Sequence, residues 1–122
     1  LEPGKLARTA EIGTSIEDLQ NAVDGLIEPF YPFEEQVCIV CNDEGKINGM
    51  LPNRSVKNKD GVMVDFIFGP AFICDCRGES FDSLSDEQIA RYTKMFRYPE
   101  HLARLNGKLI GIPFNPQREH ER

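Results

Sequence analysis

Four cysteines are the residues in this chain of 122 whose types and spacing raise the question of metal or redox chemistry. Cys38 and Cys41 have the Cys-x-x-Cys spacing, and a single residue separates Cys74 from Cys76. Zinc sites and reactive dithiols place such pairs on a tight turn or at the start of a helix. Cys38 and Cys41 instead lie in an apolar run that predicts a strand, where residues three apart point to opposite faces. We therefore predict buried core thiols, no metal ion and no cofactor.

Catalysis through a nucleophile would need a base beside it, and the chain has two histidines, His101 and His120. His120 stands in a charged C-terminal tail, and His101 follows Pro99 in a predicted short turn. Asp65 is a carboxylate among apolar strand residues and is the best candidate for a perturbed pKa, with Arg54 as a partner. The GxxxxGK[ST], GxGxxG and HExxH motifs are absent. We predict a protein without enzymatic activity, and a site made by Asp65 with Arg54 or His101 is the weaker alternative.

Polar residues that follow the central apolar run are the best candidates for a binding surface. Asn48, Asn53 and Arg54 offer directional hydrogen bonds beside a glycine and a proline. The Arg54 guanidinium can clamp a phosphate or carboxylate with two parallel bonds. Asp65 completes the predicted ligand-binding set on the polar side. Since polar loop residues commonly bond their own backbone, a structural role for Asn53 and Arg54 is the competing interpretation.

Aromatic residues could add stacking surface to this site. Tyr31 is the residue that we assign to the ligand-binding set, and Phe33 and Tyr98 are further candidates. Aromatic rings stack on nucleobases and pack against peptides. The predicted ligand is therefore a small nucleotide-like molecule, or a protein partner.

Hydrophobic periodicity and capping residues predict the elements that position these side chains. Thr14 is the expected N-cap of a first helix, with Glu17 completing a capping box, and Ser85 with Gln88 begins a second helix. Pro29 favours an edge strand. Strands are predicted at residues 6–12, 26–31, 37–41, 46–51, 62–68, 71–74 and 108–112, helices at residues 15–24 and after Ser85, and a short helical turn at residues 100–105.

The segment from residue 37 to residue 54 organises the predicted sheet. Residues 37–41 form a continuous apolar run suited to a central strand, and residues 42–45 form a turn. Residues 46–51 are expected to return as the partner strand, after which Pro52 leaves the sheet. The sequence predicts a single α+β domain over residues 1–113 with a mixed, mostly antiparallel sheet and two main helices. Residues 114–122 form a charged tail that we expect to fray.

Bulk composition narrows the function classes. The chain is 40% hydrophobic and 28% charged, which is typical of a globular domain. Its net charge of -6 argues against a broad basic face, so we expect no direct binding of nucleic acid. Since no membrane-length apolar run and no signal-peptide core occur, we expect a cytoplasmic protein that does not contact membranes. The sequence leaves the oligomeric state open, with a homo-oligomer as one of the alternatives.

Several motifs together resemble one family over about residues 10–100. These motifs are Tyr31-Pro32-Phe33-Glu34, Cys41-Asn42-Asp43-Glu44-Gly45-Lys46-Ile47-Asn48-Gly49, Pro52-Asn53-Arg54 and Ser83-Leu84-Ser85-Asp86-Glu87-Gln88-Ile89. They resemble the family catalogued as domain of unknown function 3846, which occurs in phages, plasmids and conjugative elements. The resemblance implies a small accessory protein and carries no reaction and no catalytic residues.

The leading hypothesis is a non-enzymatic accessory binding protein of a phage or mobile element. It would counteract host defence by binding a defence protein or by sequestering a nucleotide-type signalling molecule. An acidic mimic of DNA that inhibits a restriction or CRISPR nuclease is the alternative, and it requires carboxylates clustered on one face. An uncharacterised structural or interaction domain is the most conservative alternative.

Overall fold

Short apolar runs separated by turns give two helices and seven strands within residues 1–117, the part of the chain that the computed structural model describes. In chain order these elements are α1 (Ile16–Val23), β1 (Ile27–Phe30), β2 (Val37–Asn42), β3 (Pro52–Lys57), β4 (Met63–Phe68), β5 (Phe72–Asp75), α2 (Asp86–Met95), β6 (Glu100–Leu105) and β7 (Lys108–Pro113).

The strands pair antiparallel in three small sheets, with orders β1-β2-β5, β3-β4 and β6-β7 among the described residues. β2 is the central strand of the first sheet, as predicted, because its side chains are covered on both faces. Pro29 lies in β1 at the sheet edge, which also confirms the prediction. The α+β class and the single compact domain are confirmed, but three small antiparallel sheets replace the one mixed sheet that the sequence predicted.

Alternating side chains of β2 divide the core into two clusters. One cluster contains Val37 and Ile39, and the other contains Cys38 and Val40. Cys41 packs against the first cluster, so Cys38 and Cys41 lie on opposite faces of the strand, as predicted. Burial of these side chains on both sides of one strand is the main hydrophobic stabilisation of the first sheet. The remaining buried members are Val56, Ile67, Ala71, Tyr92 and Phe96 in the first cluster and Val23 and Cys74 in the second.

Both helices begin at serine caps. Ser15, rather than the predicted Thr14, is the N-cap of α1 and accepts a hydrogen bond from the Asp18 backbone N–H. Ser85 and Gln88 form the complete capping box that the sequence predicted for α2. The side chain of Met95, the last residue of α2, is 56% exposed.

Residues 6–12 do not form the predicted strand, so no strand precedes α1 in the described residues. Apart from Ala7, whose N–H donates to the Arg97 carbonyl, this segment is mostly exposed. Its apolar residues do not alternate with polar ones, so it lacks the single buried face that holds a strand in place.

The predicted strand at residues 46–51 is wrong, because residues 43–49 form consecutive turns. Hydrogen bonds from Asn48 N to Glu44 O and from Met50 N to Gly45 O close these turns. Ile47 is 84% exposed, so its apolar side chain does not mark a sheet position. Pro52 begins β3 instead of ending a hairpin, a position that tolerates the missing N–H.

The predicted helical turn at residues 100–105 is also wrong, because these residues form β6. Asn106 and Gly107 have φ angles of 51° and 80° and join β6 to β7. Two consecutive positive φ angles with Asn-Gly are typical of a tight antiparallel hairpin. The last part of the predicted tail, residues 118–122 with His120, lies outside the described residues.

Candidate functional site

Asn53 and Arg54 lie in the interior of the protein, with 0% of their surface exposed. Asn53 donates from Nδ2 to the carbonyls of Gly69 at 2.9 Å and Leu1 at 3.1 Å. Its Oδ1 accepts a hydrogen bond from Arg54 Nη1. β3 therefore directs this pair inward, where the two side chains hold three separated parts of the backbone together.

The Arg54 guanidinium uses each of its five N–H groups inside the protein. Nε donates to the Phe96 carbonyl at 2.7 Å, and Nη2 donates to the carbonyls of Lys5 and Arg97. Nη1 donates to the Glu2 carbonyl as well as to Asn53. The charge stands at the C-terminal end of α2, where the helix dipole is negative.

Burial lowers the pKa of Arg54 to about 10, so the group stays charged at neutral pH. The sequence predicted that Arg54 clamps a ligand at the surface. In the structure Arg54 is instead an interior cation that stabilises the fold, because no N–H group is left for an external ligand.

The other predicted site residues do not join this pair. Asn48 is exposed in the turns after β2, and Tyr31 is 63% exposed beyond the end of β1. Asp65 accepts hydrogen bonds from Lys46 Nζ at 2.8 Å and from the Phe66 N–H. Lys46, rather than Arg54, is thus its ionic partner, and the arrangement needed for catalysis by Asp65 with Arg54 does not form.

A groove of about 870 Å³ lies along β3 and between residues 32–35 and α2. We call it the aromatic groove. The Phe33 ring lies 4.7 Å from the Tyr92 ring and 6.2 Å from the Phe96 ring, measured between centroids. The groove is lined by Pro32, Phe33, Glu34, Glu35, Ser55, Lys57, Asn58, Lys59, Gly61, Arg91, Tyr92, Met95, Phe96 and Glu100.

Glu35 is the most strongly engaged carboxylate in the aromatic groove. It accepts hydrogen bonds from the Tyr92 hydroxyl, from Gln88 Nε2 and from Arg91 Nη1. The Tyr92 hydroxyl, above all, lowers the pKa of Glu35, with help from Gln88 and Arg91. Burial, and then the hydrogen bond to Glu35, raises the pKa of Tyr92. Glu35 is therefore ionised at neutral pH and ties residues 32–35 to α2.

The remaining charges of the groove fall into three groups. Glu100 accepts from the Ser55 N–H and from the Ser55 hydroxyl, which fixes both residues. Lys59 pairs with Glu34 at 3.4 Å, and both side chains are largely exposed. Lys57 is exposed and has no ion-pair partner within residues 1–117. Among the described residues the groove thus presents one cation and one anion without ion-pair partners, Lys57 and Glu100, and one exposed, weakly held ion pair.

Such an arrangement offers groups that can bind a ligand. The Ser55 hydroxyl is buried and already donates to Glu100 at 2.6 Å. Aromatic rings beside cations match ligands that combine a flat ring with a negative charge. Sequence reasoning had named Phe33 as a stacking residue but had not placed Lys57, Tyr92 or Phe96 beside it.

The fold and the groove define a small α+β domain whose described helices include none long and apolar enough to cross a membrane. Residues 1–97 match the family described as Domain of unknown function (DUF3846), and the chain belongs to that family. The β6-β7 hairpin follows the matched residues. Neither the curated proteins nor the solved structures contain a match.

Proposed function

We propose that the protein is a non-enzymatic binding protein whose aromatic groove takes a small nucleotide-like ligand. In this proposal it is an accessory protein of a phage or mobile element and sequesters a nucleotide-type signal of host defence in the bacterial cytosol. The observation that carries the ligand class is the presence in one groove of the partly exposed Phe33 ring, packed on the buried Tyr92 ring, and of Lys57, an exposed lysine without an ion pair among the described residues.

The dimensions of the groove support this ligand class. Small-molecule sites usually have volumes of about 300–1,000 Å³ and combine apolar lining with a few directed polar groups. The groove volume of about 870 Å³ lies in this range. Phe33, beside the ring of Tyr92, supplies a face for a base, and such stacking contributes roughly 1–3 kcal/mol per base.

The charges beside the rings support an anionic ligand. Lys57 can bind a phosphate without first breaking an ion pair. Lys59 would give up only its solvent-exposed ion pair with Glu34, which contributes little free energy. Arg91 holds Glu35 through Nη1 and places its guanidinium carbon 5.3 Å from the centre of the Tyr92 ring. A phosphate at the Lys57 end and a base at the Phe33 end would therefore meet complementary groups.

Calorimetric titration with a panel of linear and cyclic nucleotides tests the proposal. We expect at least one member to release heat in a saturable titration. Lys57→Ala should weaken that binding by about ten- to a hundredfold, since a hydrogen bond to a charged group contributes about 1.5–3 kcal/mol. Phe33→Leu should also weaken it, because a leucine side chain has no ring face to stack.

Lys108→Ala is the matched control, since Lys108 is an exposed lysine of β7 that does not line the groove. It should bind as the unaltered protein does. Absence of heat with every nucleotide would contradict the nucleotide proposal, and equal effects of Lys57→Ala and Lys108→Ala would contradict the assignment of the groove.

The acidic DNA-mimic alternative draws less support from the charge distribution. Within residues 1–117, ion pairs engage several carboxylates that a mimic would need to display, among them Glu2, Glu35 and Asp65. Asp75 is buried beside Arg77. Carboxylates that are paired or buried do not present a continuous row of negative charge.

A further inference from the structure

Cys38 and Cys74 face each other across β2 and β5. Their Cα atoms are register partners, and their Sγ atoms lie 3.7 Å apart. Asp75 exchanges both backbone hydrogen bonds with Asp82, on the side away from β2. Successive residues of a strand point their backbone N–H and C=O groups to opposite sides, so these groups of Cys74 point toward Cys38. In such a hydrogen-bonded pair the Cα atoms lie about 5.5 Å apart, within the range that a disulfide spans.

Cys76 gives this pair a route to solvent. It lies two residues beyond Cys74, just after the end of β5, and its side chain packs against the buried cluster that contains Cys38 and Cys74. Cys38 is fully buried and Cys74 nearly so, whereas Cys76 is partly exposed. A reagent from solvent therefore meets Cys76 before it meets the other two thiols.

We propose that Cys38, Cys74 and Cys76 form an oxidisable thiol site, in which a small-molecule disulfide converts Cys38 and Cys74 to a cross-strand disulfide by way of Cys76. The Cys76 thiolate attacks one sulfur of the reagent, and the other sulfur leaves as a thiolate that takes up the proton. The Cys38 thiolate then attacks the Cys76 sulfur and expels the second reagent thiol. Finally the Cys74 thiolate attacks the Cys38 sulfur and releases Cys76 as a thiol.

These steps balance in atoms, electrons and protons. One reagent disulfide is reduced to two thiols, and two protein thiols are oxidised to one disulfide, with two protons passing to the reagent. In the final exchange the sulfurs of Cys38 and Cys74, which lie 3.7 Å apart, must come within bonding distance. Rotation of the two side chains can bring them together without moving the strands.

The reaction is slow because thiolates are scarce at this site. The hydrogen bond from Cys74, followed by burial, raises the pKa of Cys38. Burial raises the pKa of Cys76 as well. Since the thiolate is the attacking species, exchange should take minutes to hours rather than seconds.

The test is incubation of the whole chain with oxidised glutathione, followed by alkylation of free thiols, proteolysis and mass spectrometry. We expect a peptide pair joined through Cys38 and Cys74, with Cys41 and Cys76 alkylated. Cys76→Ser should slow formation of that product about tenfold, because the reagent must then reach a buried thiol directly. Cys74→Ala should abolish it.

Cys41→Ser is the control, since Cys41 lies on the opposite face of β2 and bonds the Glu28 carbonyl. It should leave both the product and its rate unchanged. Far-ultraviolet circular dichroism checks that each variant folds, and peptide mapping of the unaltered chain needs no variant. The proposal is overturned by four alkylated cysteines after prolonged incubation, by a lasting glutathione adduct on Cys76, or by a cross-link that includes Cys41 or Cys76.

Discussion

Replacing Arg54 by lysine tests the interior role of this residue more sharply than removing it, because lysine keeps the positive charge. The ammonium has three donors and no planar fork, so it cannot reach the carbonyls of Phe96, Lys5 and Glu2 together. At least two acceptors then lose their partners in a site that is 0% exposed at Arg54.

The magnitude follows from the acceptors left without donors. Each buried polar group without a partner costs about 1–3 kcal/mol. The carbonyls of Glu2 and Lys5 belong to a partly exposed segment and regain water, so they contribute at the low end. We expect Arg54→Lys to lower the free energy of unfolding by about 2–4 kcal/mol, out of a total of roughly 5–15 kcal/mol for a domain of this kind.

Urea unfolding followed by circular dichroism measures this loss by linear extrapolation. Arg8→Lys is the matched control, because the Arg8 side chain is 64% exposed and pairs with Glu2 only at the surface. It should change the free energy of unfolding by less than about 0.5 kcal/mol. Equal effects of the two substitutions, or a loss below about 1 kcal/mol for Arg54→Lys, would refute the structural role assigned to Arg54.

Two further predictions concern the groove wall and the turns after β2. Because the pKa of Glu35 is lowered in the folded protein, its contribution to stability is complete above the usual glutamate pKa and is lost as pH falls through the lowered value. Unfolding midpoints of Glu35→Gln and the unaltered chain should therefore differ at pH 7 and converge in acid, and a difference that persists at acid pH would contradict this. A Cβ on Gly45 would lie 2.6 Å from the backbone carbonyl oxygen of Phe68, so Gly45→Ala should cost about 1–3 kcal/mol. Gly78→Ala, where a Cβ would meet only the Ser80 carbonyl oxygen at 4.0 Å, should change stability by less than about 0.5 kcal/mol in the same urea titration, and equal losses for the two variants would argue against the close approach.

Features that depend on near neighbours in the chain were predicted well. The capping box of Ser85 and Gln88 is complete within four residues and appears as expected. The apolar run of β2 predicted a central strand, because strands with both faces covered are apolar throughout. Asn106-Gly107 is a typical hairpin turn, but residues 100–105 before it were predicted to be helical, so the β6-β7 hairpin was missed.

Features set by distant parts of the chain could not be predicted. The sequence shows Arg54 as a polar residue after a proline, and only the tertiary fold brings the carbonyls of Lys5 and Phe96 to it. The pairing of Cys38 with Cys74 depends on the register of β2 and β5, which no local pattern specifies. The aromatic groove likewise requires β3, α2 and residues 32–35 to meet.

The most direct test of the account is a map of amide chemical shifts on the isotopically labelled protein during titration with the nucleotide panel. The account predicts that shifts concentrate at Phe33, Ser55, Lys57 and Tyr92, around the aromatic groove, and saturate with the heat signal. Shifts centred on Asn48 and Asp65, or no shift with any nucleotide at millimolar concentration, would contradict it.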